Sequence, residues 1–196
     1  MAKRFLTREL IVSVAFQMVD ENGLDGFSVR QLAAKLGVQG SSLYNHIKNE
    51  YDIFLEVAKL AADMYANYVA EYTKGLPLDE ATLKAGDAFR NFLKEHPHLY
   101  KLLLDQRFSG DPEFDKVLDS FTTPIYVILQ MYGVEDKAEM DRLYIAMRVV
   151  THGFGSLDST GVFDSLSVDA TESYHNMIKA VIDVMKKLGK KTEETS

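Results

Sequence analysis

Apolar residues recur along this chain at spacings of three and four, and no stretch shows the strict alternation of a half-buried strand. The pattern predicts helices throughout. Thr7 caps a first helix whose buried side is read from Leu10, Val14, Phe16/Gln17 and Met18, and Asn22-Gly23 stops it. Ser28 caps a second, over 28–36, that buries Val29, Leu32, Ala33 and Leu36 and ends at Gly37. Residues 39–46 form a third of about two turns. Asn49 caps a long fourth that buries Ile53, Phe54, Val57, Leu60, Ala61, Met64, Tyr65 and Tyr68 before Lys74-Gly75.

Beyond Gly75-Leu76-Pro77 the same periodicity gives a helix over 79–95 and, past the break at His96-Pro97, a short one around 98–105. A further helix spans 112–131, and Pro124 inside it is expected to kink it. Two more follow, over 135–157 and 169–188. Gly153, Gly155 and Gly161 suggest a mobile connection between them, and the polar tail Lys190–Ser196 is expected to fray. The fold class is therefore all-α.

The stretch LAAKLGVQGSSLYNHIKN, 32–49, carries the chemistry. Two short helices meet across a three-residue turn containing Gly37, the helix-turn-helix spacing. Leu32, the small Ala33, Leu43 and Ile47 would fix their crossing, with Val38 beneath the turn. The second helix carries hydroxyls, amides and an imidazole with almost no charge. Hydroxyl and imidazole groups bond phosphates and set register, while amides pair with adenine edges. A helix that merely coats a polyanion would use Lys and Arg instead.

These residues resemble the DNA-binding domain of the TetR (tetracycline-repressor-like) family of transcriptional regulators. The likeness covers residues 7–60: Gly23-Leu24-Asp25-Gly26-Phe27-Ser28, Arg30-Gln31-Leu32-Ala33, Leu36-Gly37-Val38 and Ser42-Leu43-Tyr44-Asn45-His46. The resemblance implies a cytoplasmic, all-helical homodimer. An N-terminal helix-turn-helix domain, residues 1–50, is joined by the fourth helix to a bundle, 51–196, for ligand binding and dimerisation. It implies a repressor that leaves a palindromic double-stranded operator when a small-molecule effector binds. By position, the DNA-contacting residues are Arg30, Gln39, Gly40, Ser41, Ser42, Tyr44, Asn45, His46 and Lys48. Gly40 stands where a larger contacting side chain is common. Glu50 stands where relatives often place a phosphate-binding Lys; an acid there suits a helix N-terminus but weakens DNA affinity unless Lys48 or Lys3/Arg4 compensates. In the back half, Thr151-His152-Gly153-Phe154-Gly155-Ser156-Leu157 resembles a segment near the ligand pocket of one branch of the family.

Aromatic and Met side chains are numerous after residue 60. Most are expected in the core, and a subset is expected to line a pocket: Tyr65, Phe89, Phe92, Tyr100, Phe108, Tyr126, Met147, Thr151 and Phe154. Leu143, Val150, Tyr174, Met177, Ile178, Val181 and Met185 on the last two helices are expected at the dimer interface, the alternative being the chain's own core. His152 is read either as a ligand-bonding group or as a satisfied, half-buried histidine.

The 196 residues are 46% hydrophobic, enough for a core without covalent staples, and there is no cysteine, so disulfides, thiolate metal sites and a thiol nucleophile are excluded. A reducing compartment fits. The basic start runs into apolar residues, but Arg8 and Glu9 interrupt the run and no small-residue cleavage site follows, so a signal peptide is not expected. Net charge is −7, yet residues 1–50 carry +1 and the remainder −8. The body would be repelled by a polyanion and the front would not. His96, His98, His152 and His175 come with no spaced carboxylate cluster, so no metal or cofactor is expected. No nucleophile elbow, phosphate loop or His-Glu-x-x-His occurs, so an enzyme is not expected. The rival reading is a module that docks a protein partner, its DNA head weakened by Glu50.

Overall fold

The computed structural model describes residues 5–195, with side chains through Lys190. The roles expected of Lys3 and Arg4, and of the side chains in the tail, lie outside the described residues. Among the described residues there are nine α-helices and no strand: α1 (Arg8–Asn22), α2 (Val29–Leu36), α3 (Gly40–Leu43), α4 (Glu50–Thr73), α5 (Leu78–Glu95), α6 (Pro97–Leu103), α7 (Pro112–Met131), α8 (Lys137–Asp158) and α9 (Ala170–Thr195), with a 3₁₀ turn at Gln106–Phe108.

The expected caps form. The Thr7 hydroxyl accepts the Leu10 amide at 3.2 Å, the Ser28 hydroxyl accepts the Gln31 amide at 3.2 Å, and the Asn49 side chain accepts the Asp52 amide at 2.9 Å. α7 runs unbroken through Pro124. Gly153 and Gly155 lie inside α8 rather than in a loop, which corrects that part of the sequence reading. A methyl group at Gly155 would sit 3.3 Å from Leu93, so the glycine serves close packing of α8 on α5.

Contacts gather the chain into two compact units: residues up to Met64 with His96–Asp119, and Tyr65–Glu95 with everything from Ser120. α4 and α7 each run from one unit into the other. In the first unit α1 packs on α2 and α6, and α2 on α3. Its interior includes Ile11, Leu32, Leu43, Ile53, Leu99 and Phe114, all essentially inaccessible to water. The Phe27 and Phe54 rings meet at 5.1 Å, and the Asp20 carboxylate meets His96 Nδ1 at 2.9 Å.

One helix presents a different face from the one expected, and another differs at a single position. α1 buries Ile11, Val12, Ala15, Met18 and Val19, while Leu10, Val14 and Phe16 are half-buried and Gln17 is exposed. The run IVSVAF is apolar around most of the helix, so its phase is set by the neighbours and not by the sequence. On α4, Leu60 is exposed because the stripe through Val57, Ala58, Ala61 and Ala62 faces inward.

In the second unit α5, α8 and α9 pack on one another. Tyr174 is fully buried, and its hydroxyl donates to the Gly86 carbonyl at 2.8 Å, a bond that satisfies the polar end of a large apolar side chain. Near the other end of α9, Gly189 lies against the α7–α8 turn. A methyl group there would fall 1.8 Å from the Tyr132 carbonyl oxygen, so no larger residue fits this approach without moving backbone.

Candidate nucleic-acid interface and ligand cavity

α2 ends where Gly37 adopts φ +70 and ψ +30, the left-handed region open to glycine at low cost. The Gly37 and Val38 amides fold back onto the Ala34 and Ala33 carbonyls at 3.1 and 3.0 Å, satisfying the helix end and turning the chain sharply. Leu32, Ala33, Leu43 and Ile47 are all buried, so the two helices are locked from below by the residues whose spacing predicted it.

α3 is shorter than expected. Regular helix covers only Gly40–Leu43, and the chain then tightens through Tyr44–His46, with the His46 amide bonded to the Leu43 carbonyl at 2.8 Å. The segment is too short to hold itself, and Arg8 supplies the support. Its guanidinium donates to the His46 carbonyl at 3.0 Å and forms a fork on Asp52 at 2.7 and 2.8 Å, with Glu56 at 3.3 Å. The Lys48 amide donates to the same Asp52 carboxylate at 2.9 Å. Four segments therefore converge on one ion pair: the start of α1, the end of the 39–46 turn, the linker at Lys48 and the first turn of α4. The Arg8 bonds hold the Asp52 carboxyl down at about 2, against the opposing effect of burial, and the same contacts raise Arg8. Sequence reasoning missed this clasp. Its signal was two acids four residues apart on one face of α4.

The expected DNA residues gather on the outer side of this first unit. Arg30, Gln39, Ser41, Asn45 and Lys48 are exposed, Tyr44 presents 55% of its surface, and Gly40, Ser42 and His46 are half-buried. Gln39 precedes α3 without spending its amide on a cap. A methyl group at Gly40 would meet nothing, so the smallness of this position is not required by packing. Glu50 is exposed at the first position of α4.

The second unit contains a cavity with about 410 Å³ of space between atoms, part of it continuous with solvent. It is narrow, with room for little beyond a water-sized sphere. Of the nine residues expected to line a pocket, Tyr65, Phe89, Met147 and Thr151 do so. Tyr100 and Phe108 belong instead to the first unit, where Phe108 stacks on Phe114 at 4.8 Å. Phe92 packs behind the lining residue Tyr65 at 5.5 Å, Tyr126 stacks on Tyr144 at 5.2 Å, and Phe154 packs on Tyr174 at 4.6 Å; none of the three lines the cavity. Val69 of α4, Ala85 and Gly86 of α5, and Pro124, Ile125 and Ile128 of α7 complete the wall with Met185 of α9. These residues are mostly aliphatic, and in the sequence nothing distinguishes them from ordinary core positions. His152, next to Thr151 on α8, is half-buried, and burial foremost, with Arg148 nearby, lowers its pKa.

Most of the expected dimer residues are not available to a partner. Leu143, Tyr174, Ile178 and Met185 are buried in this unit's own core, and Val150 and Val181 are half-buried against it; Met177 alone is exposed. α8 has two apolar stripes, and the one that faces outward carries Ile145 (60% exposed) and Val149 (67%). On α9, Met177 and Val184 are also exposed. Among the described residues no three His, Asp or Glu side chains come together as a metal site, and no helix is long and apolar enough to cross a membrane.

Residues 11–57 match the family model described as bacterial regulatory proteins, tetR family, and residues 82–181 match the tetracyclin repressor-like, C-terminal domain. The Mycobacterium tuberculosis protein named as uncharacterized HTH-type transcriptional regulator Rv0681 is 30% identical over 168 residues, covering 84% of this chain and 76% of that one. The Escherichia coli tetracycline repressor protein class D is 29% identical over 99 residues, half of this chain and 40% of that one. Among solved structures, the Streptomyces coelicolor TetR family protein ActR in complex with actinorhodin superposes with a TM-score of 0.64 at 18% identity, covering 94% of this chain and 99% of that one. With both halves matched in order and a relative aligned along most of its length, this chain belongs to the TetR family of transcriptional regulators, which bind DNA and are not enzymes.

Proposed function

We propose that this regulator is a repressor, acting in the cytoplasm as a homodimer on a palindromic operator and released by a small molecule held in the cavity of its second unit. The observation that carries the reading is the exposed, nearly uncharged turn at 39–46, held at its far end by the Arg8–Asp52 clasp. A rigid short helix with amide and hydroxyl side chains suits reading base edges in the major groove. Gln39 and Asn45 are assigned to bases; Ser42, Tyr44, His46 and Lys48 are assigned to phosphates, and Arg30 reaches either from α2.

Two further features support the dimer and the ligand. The outward stripe Ile145–Val149 with Met177 and Val184 offers apolar surface that a second copy would cover. α4 carries both Asp52 of the clasp and Tyr65 and Val69 of the cavity wall, so a ligand that moves this helix acts on the reading turn through the same backbone. In two copies, such a movement would change the separation of half-sites one helical turn apart. The relatives fit: one is named a repressor, and another of the same fold holds actinorhodin.

The test is fluorescence anisotropy with a duplex carrying the palindrome nearest its own gene, against a scrambled duplex. Selective binding that weakens steeply with salt is expected. Equal affinity for both duplexes sinks the reading. Exposed Glu50 favours the second reading, a protein-docking module with a weakened DNA head. Glu50→Lys separates the two. On the DNA reading it tightens operator binding and steepens the salt slope by about one phosphate's worth of counterion release. An unchanged isotherm favours the docking module.

A further inference from the structure

None of the residues that line the cavity carries a charge. Tyr65 and Thr151 are the lining residues with polar side-chain atoms; the rest of the wall is aliphatic, aromatic or thioether. Arg148 and His152 follow lining residues on α8 without lining the cavity themselves, and Arg148 lies against Phe89 of the wall. Its guanidinium lies over the Phe89 and Phe121 rings at 5.7 and 5.8 Å. The Thr151 hydroxyl spends its proton on the Met147 carbonyl at 2.8 Å, which leaves its oxygen as an acceptor. A charged ligand in such a wall would lose its hydration with no charged side chain lining the cavity in return, since the Phe89 ring stands between Arg148 and the space.

Resting on the ligand-responsive reading above, we propose that the effector is a neutral, largely apolar small molecule carrying at most one hydrogen-bond donor, which Thr151 accepts. The cavity at rest holds little beyond a water-sized sphere, so a larger ligand enters only as Met147 and Met185 move aside; both are unbranched and line it from different helices. Ala85 lines the space, so a larger side chain there would take up room in it, while any side chain at Gly86 would meet the Tyr174 hydroxyl at 2.9 Å.

Two dyes with one scaffold test the charge. N-phenyl-1-naphthylamine is neutral with a single N–H, and 8-anilino-1-naphthalenesulfonate adds a sulfonate. Saturable fluorescence enhancement by the neutral dye is expected, with affinity for the sulfonate at least about tenfold lower. Ala85→Leu, which fills the cavity, should weaken the neutral dye by about tenfold or more while thermal melting stays cooperative. Ala85→Val is the milder filling should the larger one impair folding. Absence of saturable binding by the neutral dye overturns the proposal. So does binding indifferent to both fillings, and so does equal affinity for the sulfonate with the same sensitivity to filling. The dyes are read without DNA, so a chain that binds the neutral dye yet shows equal affinity for both duplexes would defeat the repressor reading and leave the ligand class standing.

Discussion

Arg8 shows how far one charged side chain reaches in this protein. In the sequence it is a basic residue interrupting an apolar run, and its partners lie more than thirty residues away. In the fold it meets the His46 carbonyl, Asp52 and Glu56 together. Because the Asp52 carboxyl sits at about 2, below its ordinary value, the clasp stabilises the folded state fully above about pH 4 and is lost as the pH falls towards 2. Arg8 is partly exposed, so the contribution is set at about 1 kcal/mol after solvent screening. Urea melts of wild type and Asp52→Asn should therefore differ by a constant amount from pH 7 down to about 4 and converge at lower pH. A difference that persists undiminished at pH 2 would refute the assignment. Arg8→Met goes further, because it leaves two acids facing each other at the end of the reading turn; operator affinity should fall by about tenfold while the duplex preference is kept.

Helix α9 is held by two close approaches, one at each end. At one end the Tyr174 hydroxyl reaches the Gly86 backbone, and at the other Gly189 admits the Tyr132 carbonyl. Gly189→Ala should lower stability by about 1–3 kcal/mol through backbone displacement, despite the better helix propensity of alanine, and a thermal melt checks it. Much at this scale was legible in the sequence. Thr7, Ser28 and Asn49 cap where their side chains predict, α7 has the expected bounds, and the Gly37 turn lies where its glycine puts it. What was not legible follows from three causes. α1 and α8 carry apolar residues on more than one face, so periodicity marks them as helices without saying which stripe faces inward. The cavity depends on Ala85, Gly86 and Pro124, residues whose small or rigid side chains leave space and give no periodic signal. The clasp depends on long-range pairing, and one sequence alone does not pair Arg8 with Asp52.

Across the whole molecule, α4 and α7 are common to both compact units, and the functional division at residue 50 remains a proposal about roles. The dimer is tested on the outward stripe. Ile145→Asp with Val149→Asp places charge at two exposed positions, so the fold should survive while sedimentation shifts to the monomer and operator affinity falls by at least about a hundredfold. A monomeric wild type would refute it. The narrowness of the cavity bears on timing. If its walls must part before a molecule enters, the observed association rate will level off as concentration rises, at the frequency with which Met147, Met185 and their neighbours move aside. On the ligand-responsive reading proposed above, such a receptor would filter its input, passing over brief pulses of a compound and answering those that last.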